Sequence, residues 1–331
     1  MIESVEKLDA CLGRTPAAMN LKVVEHLDEG ALRWLSASPL VFVSAARASG
    51  VSVTIAGGER GFAAPVSLQL LRMPRAAFDD PSCIEEGRGV GLLFLVPGLG
   101  ETLRVNGRVA AHTHDAIEIA IREVYVHCAK ALLRSELWSA APRTEQSFEP
   151  AQLVAETRFI AFATADAEGN ADLSPKGDAA GIMLKQLGDG LAYGERPGNL
   201  RKDSLKNLLV QPRAAALAII PGSNLVGLLH GEGKILDDAV ARELFTVSGK
   251  TPKLVMQLCA ATLVVRESAA LARVSLWPLR AEAHGLDPAE ILTNHMKLNK
   301  TAGFGVGIVR NLMSKELMRL GLDLDYKNKM Y

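Results

Sequence analysis

A weak internal repeat constrains this chain more than any other feature. Val90–Gly98 reads without a gap against Ala214–Gly222, each an apolar run closed by Pro-Gly, and Asn106-Gly107 falls in the same frame as His230-Gly231. Pro97 and Pro221 stand 124 positions apart, as do Gly107 and Gly231. Around this shared piece the copies differ. Upstream, only the second has Ser174-Pro175-Lys176-Gly177-Asp178 and Arg196-Pro197-Gly198-Asn199-Leu200-Arg201-Lys202-Asp203. Only the first is followed by the dense run from His127 to Trp138. Complementary losses of this kind point to one site shared between two halves rather than two independent sites.

With 331 residues the chain has room for about two domains, each with its own core. Lys plus Arg balance Asp plus Glu at 37 each, and no basic block stands out, so the electrostatic footprint of a nucleic-acid binder is missing. Cys11, Cys83, Cys128 and Cys259 are scattered without short pairings, a pattern of reduced thiols rather than a disulfide frame or zinc site. The opening Met1–Lys7 is polar, and the longest apolar runs are strand-sized, far below the ~20 residues that span a bilayer. These features point to a cytoplasmic protein without nucleic-acid or membrane partners.

Residues 1–38 read as helical, with Leu27, Leu32, Trp34 and Leu35 forming an apolar stripe. Leu40–Ser44, Val51–Ile55 and Val66–Leu71 read as strands. Asp115–Leu133 has helix-forming composition, with Asp115 as N-cap and Ile117, Ile121, Val124 and Cys128 spaced for one buried face. The second half predicts a helix over 150–157, strands over 159–164, 182–187 and 191–193, a hairpin turn at 166–170 and a helix over 200–210. Strands then run to Ile220 and through Ile235, a helix starts at Asp237-Asp238, and 270–279 returns as a strand. Asp287-Pro288 opens one further helix and Val306–Leu320 makes another, an appendage fit either to cover a pocket or to mediate oligomerisation. Many short strands with few helices between them argue for antiparallel barrels.

Two segments carry the chemistry. Asp172–Asp178 puts a hydroxyl, an ammonium and a flexible glycine within a few residues at a strand end, as a phosphate cradle does. Taken alone, a turn of this composition is a common solvated hairpin. Arg196-Pro197-Gly198-Asn199 makes a rigid turn into a helix that begins with Arg201 and Lys202. Cations are disfavoured in a first turn, and a bound anion would lift that penalty.

Together these motifs resemble the pyridoxamine 5′-phosphate oxidase-like superfamily of FMN-binding split barrels, and its bacterial flavin-nucleotide-binding members in particular. The resemblance rests on Asp166–Gly169 leading to Ser174–Asp178, on Arg196–Asn199 with Arg201 and Asn207, and on Ile220-Pro221-Gly222 with Gly231. In the first copy it rests on Val96-Pro97-Gly98, Glu101–Arg108, His127–Ala131, Arg134-Ser135 and Leu137-Trp138. It covers roughly residues 30 to 280 and implies a mainly β, α+β fold: two tandem split β-barrels forming an intramolecular pseudo-dimer, plus C-terminal helices. The implied division is 1–38 helical, 39–145 first barrel, 146–282 second barrel with the phosphate motifs, and 283–331 helical appendage.

The resemblance implies an FMN-dependent oxidoreductase with one flavin site shared between the halves, and a small-molecule substrate and an electron donor as its partners. Ser174, Lys176, Arg201 and Lys202 would hold the phosphate, and Lys130, Arg134 and Trp138 would approach the ring. Gly177, Asp178, Asn199, Asn207 and Arg104 complete the implied cofactor set. The protein would work as a monomeric pseudo-dimer or a homodimer. Haem, with His112, His114, His127 or His230 as axial ligand, and deazaflavin are the alternative cofactors, and a non-catalytic binding module is the alternative role. No metal site is expected: His112 and His114 have no neighbouring acid or thiol in sequence. Ser248-Gly249-Lys250-Thr251 lacks the earlier glycine of a phosphate loop, Leu244 standing there, and Gly303–Gly307 lacks the strand of a dinucleotide fold.

Overall fold

The computed structural model describes residues 1–16, 20–198, 201–280, 284–299, 314–328 and 330–331. Seven strands of the first half, β1 (Leu40–Arg47), β2 (Gly50–Gly57), β3 (Ala64–Ser67), β4 (Leu70–Pro74), β5 (Gly89–Leu95), β6 (Thr102–His112) and β7 (Ala116–His127), form one antiparallel sheet. Its order is β2-β1-β5-β6-β7-β4-β3. The second half supplies β8 (Phe159–Ala165), β9 (Ala171–Gly177), β10 (Lys185–Leu187), β11 (Gly190–Glu195), β12 (Arg213–Ile219), β13 (Leu225–Leu236) and β14 (Leu254–Glu267). Read from β9, this sheet runs β9-β8-β12-β13-β14-β11-β10, the first order with seven added to every strand. The same open topology therefore occurs twice, and with the helices the architecture is α+β.

The repeat in the sequence maps onto this equivalence. Its apolar runs are β5 and β12, and both Pro-Gly pairs turn the chain after them. Gly98 and Gly222 take φ of +85° and +95°, and each turn closes with a hydrogen bond, Leu99 N to Val96 O and Ser223 N to Ile220 O. Asn106-Gly107 and His230-Gly231 both fall where the strand register shifts, at bulges that bend the long central strands.

The central strands are apolar throughout because both faces are covered. Val41, Val43 and Ala45 of β1 enter the core of the first sheet, while Leu40, Phe42 and Ala46 face the second half. β8 and β12 divide likewise, Ile160, Phe162, Ala214, Ala216 and Ala218 turning into their own core and Phe159, Ala161, Leu217 and Ile219 into the shared one. In this seam Phe42 and Phe159 lie with ring centroids 5.5 Å apart.

Two short helices lock the seam. α3 (Lys130–Arg134) and α7 (Ala269–Val274) are each followed within two residues by one in the left-handed region, Glu136 and Ser275, and then by Leu-Trp. Trp138 and Trp277 stand 139 positions apart, as do Arg134 and Arg273. Arg134 Nε donates to the carbonyl of Gly177 at 2.8 Å, and Arg273 Nη1 donates to that of Gly57 at 2.6 Å. Each arginine thus reaches the last residue of a strand in the opposite half. Glycine is needed at both points: a Cβ on Gly177 would stand 1.9 Å from the Ala131 carbonyl oxygen, and one on Gly57 would stand 3.0 Å from that of Ala270.

Elsewhere, α1 (Val5–Leu12) and α2 (Glu29–Ala37) replace the continuous N-terminal helix, and α4 (Pro150–Glu156), α5 (Asp203–Val210) and α6 (Ala239–Glu243) flank the second sheet. α8 (Pro288–Leu298) follows its Asp287 cap, and α9 (Lys315–Asn328) comes last. The first part of the expected 306–320 helix, the Gly303–Gly307 segment and the expected boundary at 282–283 lie outside the described residues, as does Asn199.

Several expectations fail. Residues 116–127 are strand β7, because Ile117, Ile119 and Ile121, two apart, all point into the first core. The i, i+4 spacing of Ile117 and Ile121 fits either period, and the hydrogen bonds of β4 and β6 on both sides decide for strand. Asp115 is no N-cap but an exposed partner of His114. Residues 270–279 are not a strand: Ser268 Oγ accepts from Leu271 N and starts α7. The 66–71 run splits into the hairpin β3–β4, and only 185–187 of the 182–187 run is extended. β14, the longest strand, had no counterpart in the sequence reading.

Gly177→Ala should lower stability by roughly 2–4 kcal/mol through displacement of α3. Gly321→Ala, in an open stretch of α9, should be neutral or stabilise by up to about 1 kcal/mol. Urea unfolding of both variants checks the pair.

Candidate functional site

Where β6, β7 and α3 of the first half meet β9, β11 and the start of α5, a cavity of about 480 Å³ opens at the seam. Its walls include Arg104, Tyr125, His127, Cys128, Lys130 and Arg134 from the first half, and Asp172, Ser174–Gly177, Gly194–Gly198 and Arg201–Asp203 from the second. Leu12 of α1, Lys250–Lys253 and Tyr331 also line it.

A polar network crosses the floor. The buried Arg104 guanidinium pairs with Asp172 and donates from Nε to Asn106 Oδ1 at 3.1 Å. Ser204 Oγ lies 3.2 Å from Asp172 Oδ2 and 2.6 Å from Ser174 Oγ. Burial opposes the charge on Arg104, yet Asp172, Tyr125 and Asp203 outweigh it and raise its pKa.

Of the expected set, Ser174, Lys176, Gly177, Arg201, Lys202, Arg104, Lys130 and Arg134 line the cavity. Lys176 is gripped by both Glu195 oxygens at 2.8 Å. Arg201 bonds Asp203 at 2.6 Å and lies 4.5 Å from the Tyr125 ring centroid, while the Lys202 ammonium turns to Asp9 and the Gly13 carbonyl. The two cations at the start of α5 therefore have carboxylates of their own, and their position does not require a bound anion. Trp138, Asp178 and Asn207 are placed off the lining. Trp138 donates to the Leu99 carbonyl at 2.7 Å and packs in the seam core. Asp178 pairs with Arg196 at 2.6 Å, and Asn207 donates to Thr164 Oγ1 at 3.1 Å.

Nine lining residues are Lys or Arg (104, 130, 134, 176, 196, 201, 202, 250, 253) against three carboxylates, at 172, 195 and 203. Two cations are left incompletely answered. Arg134 meets only the backbone carbonyls of Gly177, Pro197 and Met330 among the described residues, and burial lowers its pKa. Arg196 Nη2 is buried with no hydrogen-bond partner. An unpaired buried donor of this kind is costly unless a ligand meets it.

Behind the wall sits Lys22, 7% exposed, its ammonium 5.5 Å from the Tyr125 ring centroid. Burial pushes its pKa down to about 8, and Arg201 and Arg104 also act to lower it. Burial, with Lys22 and Arg104, holds His127 far below the usual imidazole range, so it is neutral.

The sequence reading missed Tyr125, Glu195, Ser204, Lys250–Lys253 and Tyr331 as parts of the site. Tyr125 falls inside the segment expected to be helical, and Ser248–Thr251 lacks the glycine of a phosphate loop. Lys250 and Thr251 do reach the wall, ahead of β14 rather than of a helix. At the equivalent position of the first half no such site exists among the described residues. Ala56 stands where Lys176 does, bridged to Phe78, and Leu228 where Arg104 does. No group of three or more His, Cys, Asp or Glu residues there is arranged to hold a metal ion, and no helix there is long and apolar enough to cross a membrane.

No known family profile matches the chain, and no curated protein does. Among solved structures, the H111A variant of HupZ from Group A Streptococcus matches at 13% identity and TM-score 0.30, over 36% of this chain and 100% of that one. An F420 reductase matches at 14% and 0.26, over 35% and 98%. Apo MrkH of K. pneumonia matches at 11% and 0.18, over 71% and 84%. At TM-scores this low none of them bears on what the cavity holds.

Lys22 provides a pH test. From about pH 8 up to the ordinary lysine value of 10.5, the unfolded chain keeps a proton that the folded one sheds, so stability rises with pH. Below that window the folded protein carries the full cost of a buried ammonium. Lys22→Met should therefore raise stability at about pH 7 by roughly 1–3 kcal/mol, with the gain shrinking by about pH 10. Urea titrations at the two pH values measure the difference.

Proposed function

We propose that the chain is an FMN-dependent oxidoreductase of the pyridoxamine 5′-phosphate oxidase-like type, acting on a small molecule in the cytoplasm. Its halves, 39–145 and 146–282, would be tandem split barrels from a duplication, holding one flavin at their seam. The observation that carries this reading is the cavity's cationic excess, above all Arg134 without a carboxylate and Arg196 with an orphaned Nη2. The donor set suits a phosphate-bearing planar ligand: the Ser174 hydroxyl, backed by Ser204, Lys176 and Arg201 beside it, and Arg134 and Lys130 reaching in from the other half.

FMN, when bound, supplies the redox chemistry. The chain's own groups do the rest. Ser174, Lys176 and Arg201 would anchor the phosphate, with Glu195 and Asp203 orienting the two cations before the ligand arrives. Asp178 fixes the Arg196 fork, and the Arg134 charge stabilises any negative charge that develops in the cavity. Lys176→Ala with Arg201→Ala removes two charge-assisted contacts and should weaken FMN binding by about 100-fold or more. Trp138→Phe should leave it within about threefold, because that indole lies off the lining. Fluorescence titration of FMN decides, and unchanged affinity in the double variant rules out the phosphate site.

One observation favours a second reading. Of the four candidate axial histidines only His127 lines the cavity, and its neutral imidazole is the form that ligates haem iron. A Soret band acquired with haemin and lost in His127→Ala would establish that reading, and no band in either protein would end it.

A further inference from the structure

α9 buries none of its side chains, so apolar packing does not explain why it lies where it does. Polar contacts hold it at both ends. Lys315 meets Asp287 and Glu290 at 2.8 Å each, and Arg319 also pairs with Asp287, at the start of α8. At the other end the contacts include three cations of the cavity wall, Lys130, Arg134 and Arg196. Asp325 pairs with the Lys130 ammonium at 2.7 Å, and the Tyr326 hydroxyl donates to Glu101 at 2.9 Å while accepting from Ala129 N at 3.1 Å. Met330 O accepts from Arg134 at 2.8 Å. Tyr331 lies with its ring 5.1 Å from the Arg196 guanidinium, donates to Asp178 at 3.3 Å and is itself part of the lining.

We infer that α9, together with Met330 and Tyr331, is a strap forming one detachable wall of the ligand cavity, so that ligand enters and leaves when the strap lifts and is retained when it closes. This rests on the cavity being the ligand site proposed above. Three features support it. The cavity persists beneath the closed strap, at a volume within the usual range for small-molecule sites, so the strap covers the space rather than filling it. Lifting the strap exposes no fully buried side chain of α9, and the named ties it breaks are polar contacts, each worth about 1 kcal/mol or less once hydrated. The groups released, Lys130 and Arg134, are cations of the cavity itself, so strap position and ligand charge act on the same side chains.

The test uses the full chain with Asp325→Asn and Tyr326→Phe combined, and a second variant ending at Ser314, all in a Cys11→Ser background. Cys83 and Cys259 are buried, so Cys128 on the cavity wall becomes the reporter thiol. An aromatic disulfide reagent should modify Cys128 at least about tenfold faster without the strap, and severalfold faster in the double variant. Equal rates in all three proteins overturn the strap, whether or not any ligand binds. The second readout is FMN release by stopped flow. Release should speed up about tenfold on truncation, and raising salt from about 0.05 to 0.5 M should accelerate it more in the full chain than in the truncated one. FMN that binds but leaves all three proteins at one rate also overturns the strap. FMN that binds none of them overturns the proposed cofactor alone, and the thiol rates still decide the strap.

Discussion

The seam between the two sheets is the constraint on which the rest of the structure depends. β1, β5, β8 and β12 are each covered on both faces, by their own core on one side and the opposite half on the other. A strand in that position can carry no charge on either face, which is why the repeat in the sequence is a pair of unbroken apolar runs. Neither half could expose its seam face to water without presenting Phe42, Leu93 and Leu95, or Phe159, Leu217 and Ile219. Arg134 and Arg273 then fix the relative position of the halves through the carbonyls of Gly177 and Gly57, contacts that tolerate no side chain at the receiving residue.

That reciprocal packing creates two equivalent edges, and the chain treats them differently. On one edge, Lys176, Ser174, Arg104 and Tyr125 surround a cavity; on the other, Ala56, Thr54, Leu228 and Val264 occupy the corresponding strand positions. There the Ala56–Phe78 bridge and the Thr54 Oγ1 bond to Asp80 N tie a connecting segment against β2. One fold repeated twice thus yields one polar site, because substituting a handful of side chains changes what an edge can bind without touching the apolar faces that hold the seam.

The charge distribution explains how a cationic cavity survives in a folded chain. Arg104, Lys176, Arg196, Arg201 and Lys202 each have a carboxylate within ion-pair reach, so their burial is compensated locally. Among the described residues Arg134 and Lys22 do not, and burial lowers the pKa of both. Both lower stability in the free protein; Arg134, which lines the cavity, would be satisfied by an anion bound there, and such binding would be coupled to folding.

The sequence by itself determined the twofold character of the chain, most of the strands around the seam and the majority of the cations that line the cavity. These rest on local signals: apolar runs closed by Pro-Gly, and dense polar motifs at strand ends. Only the tertiary structure decided the nature of 116–127 and 269–274, since Ile117 and Ile121 satisfy either period and the partner strands supply the deciding hydrogen bonds. It also decided that Trp138 and Asn207 serve packing and hydrogen bonding off the cavity wall, and that Glu195 and Asp203 face the cations they neutralise. Tyr331 joins the site across 135 positions from Arg196, a distance in sequence over which no local pattern operates. A motif specifies which groups are available, and only the packing of non-local elements fixes which of them face the same space.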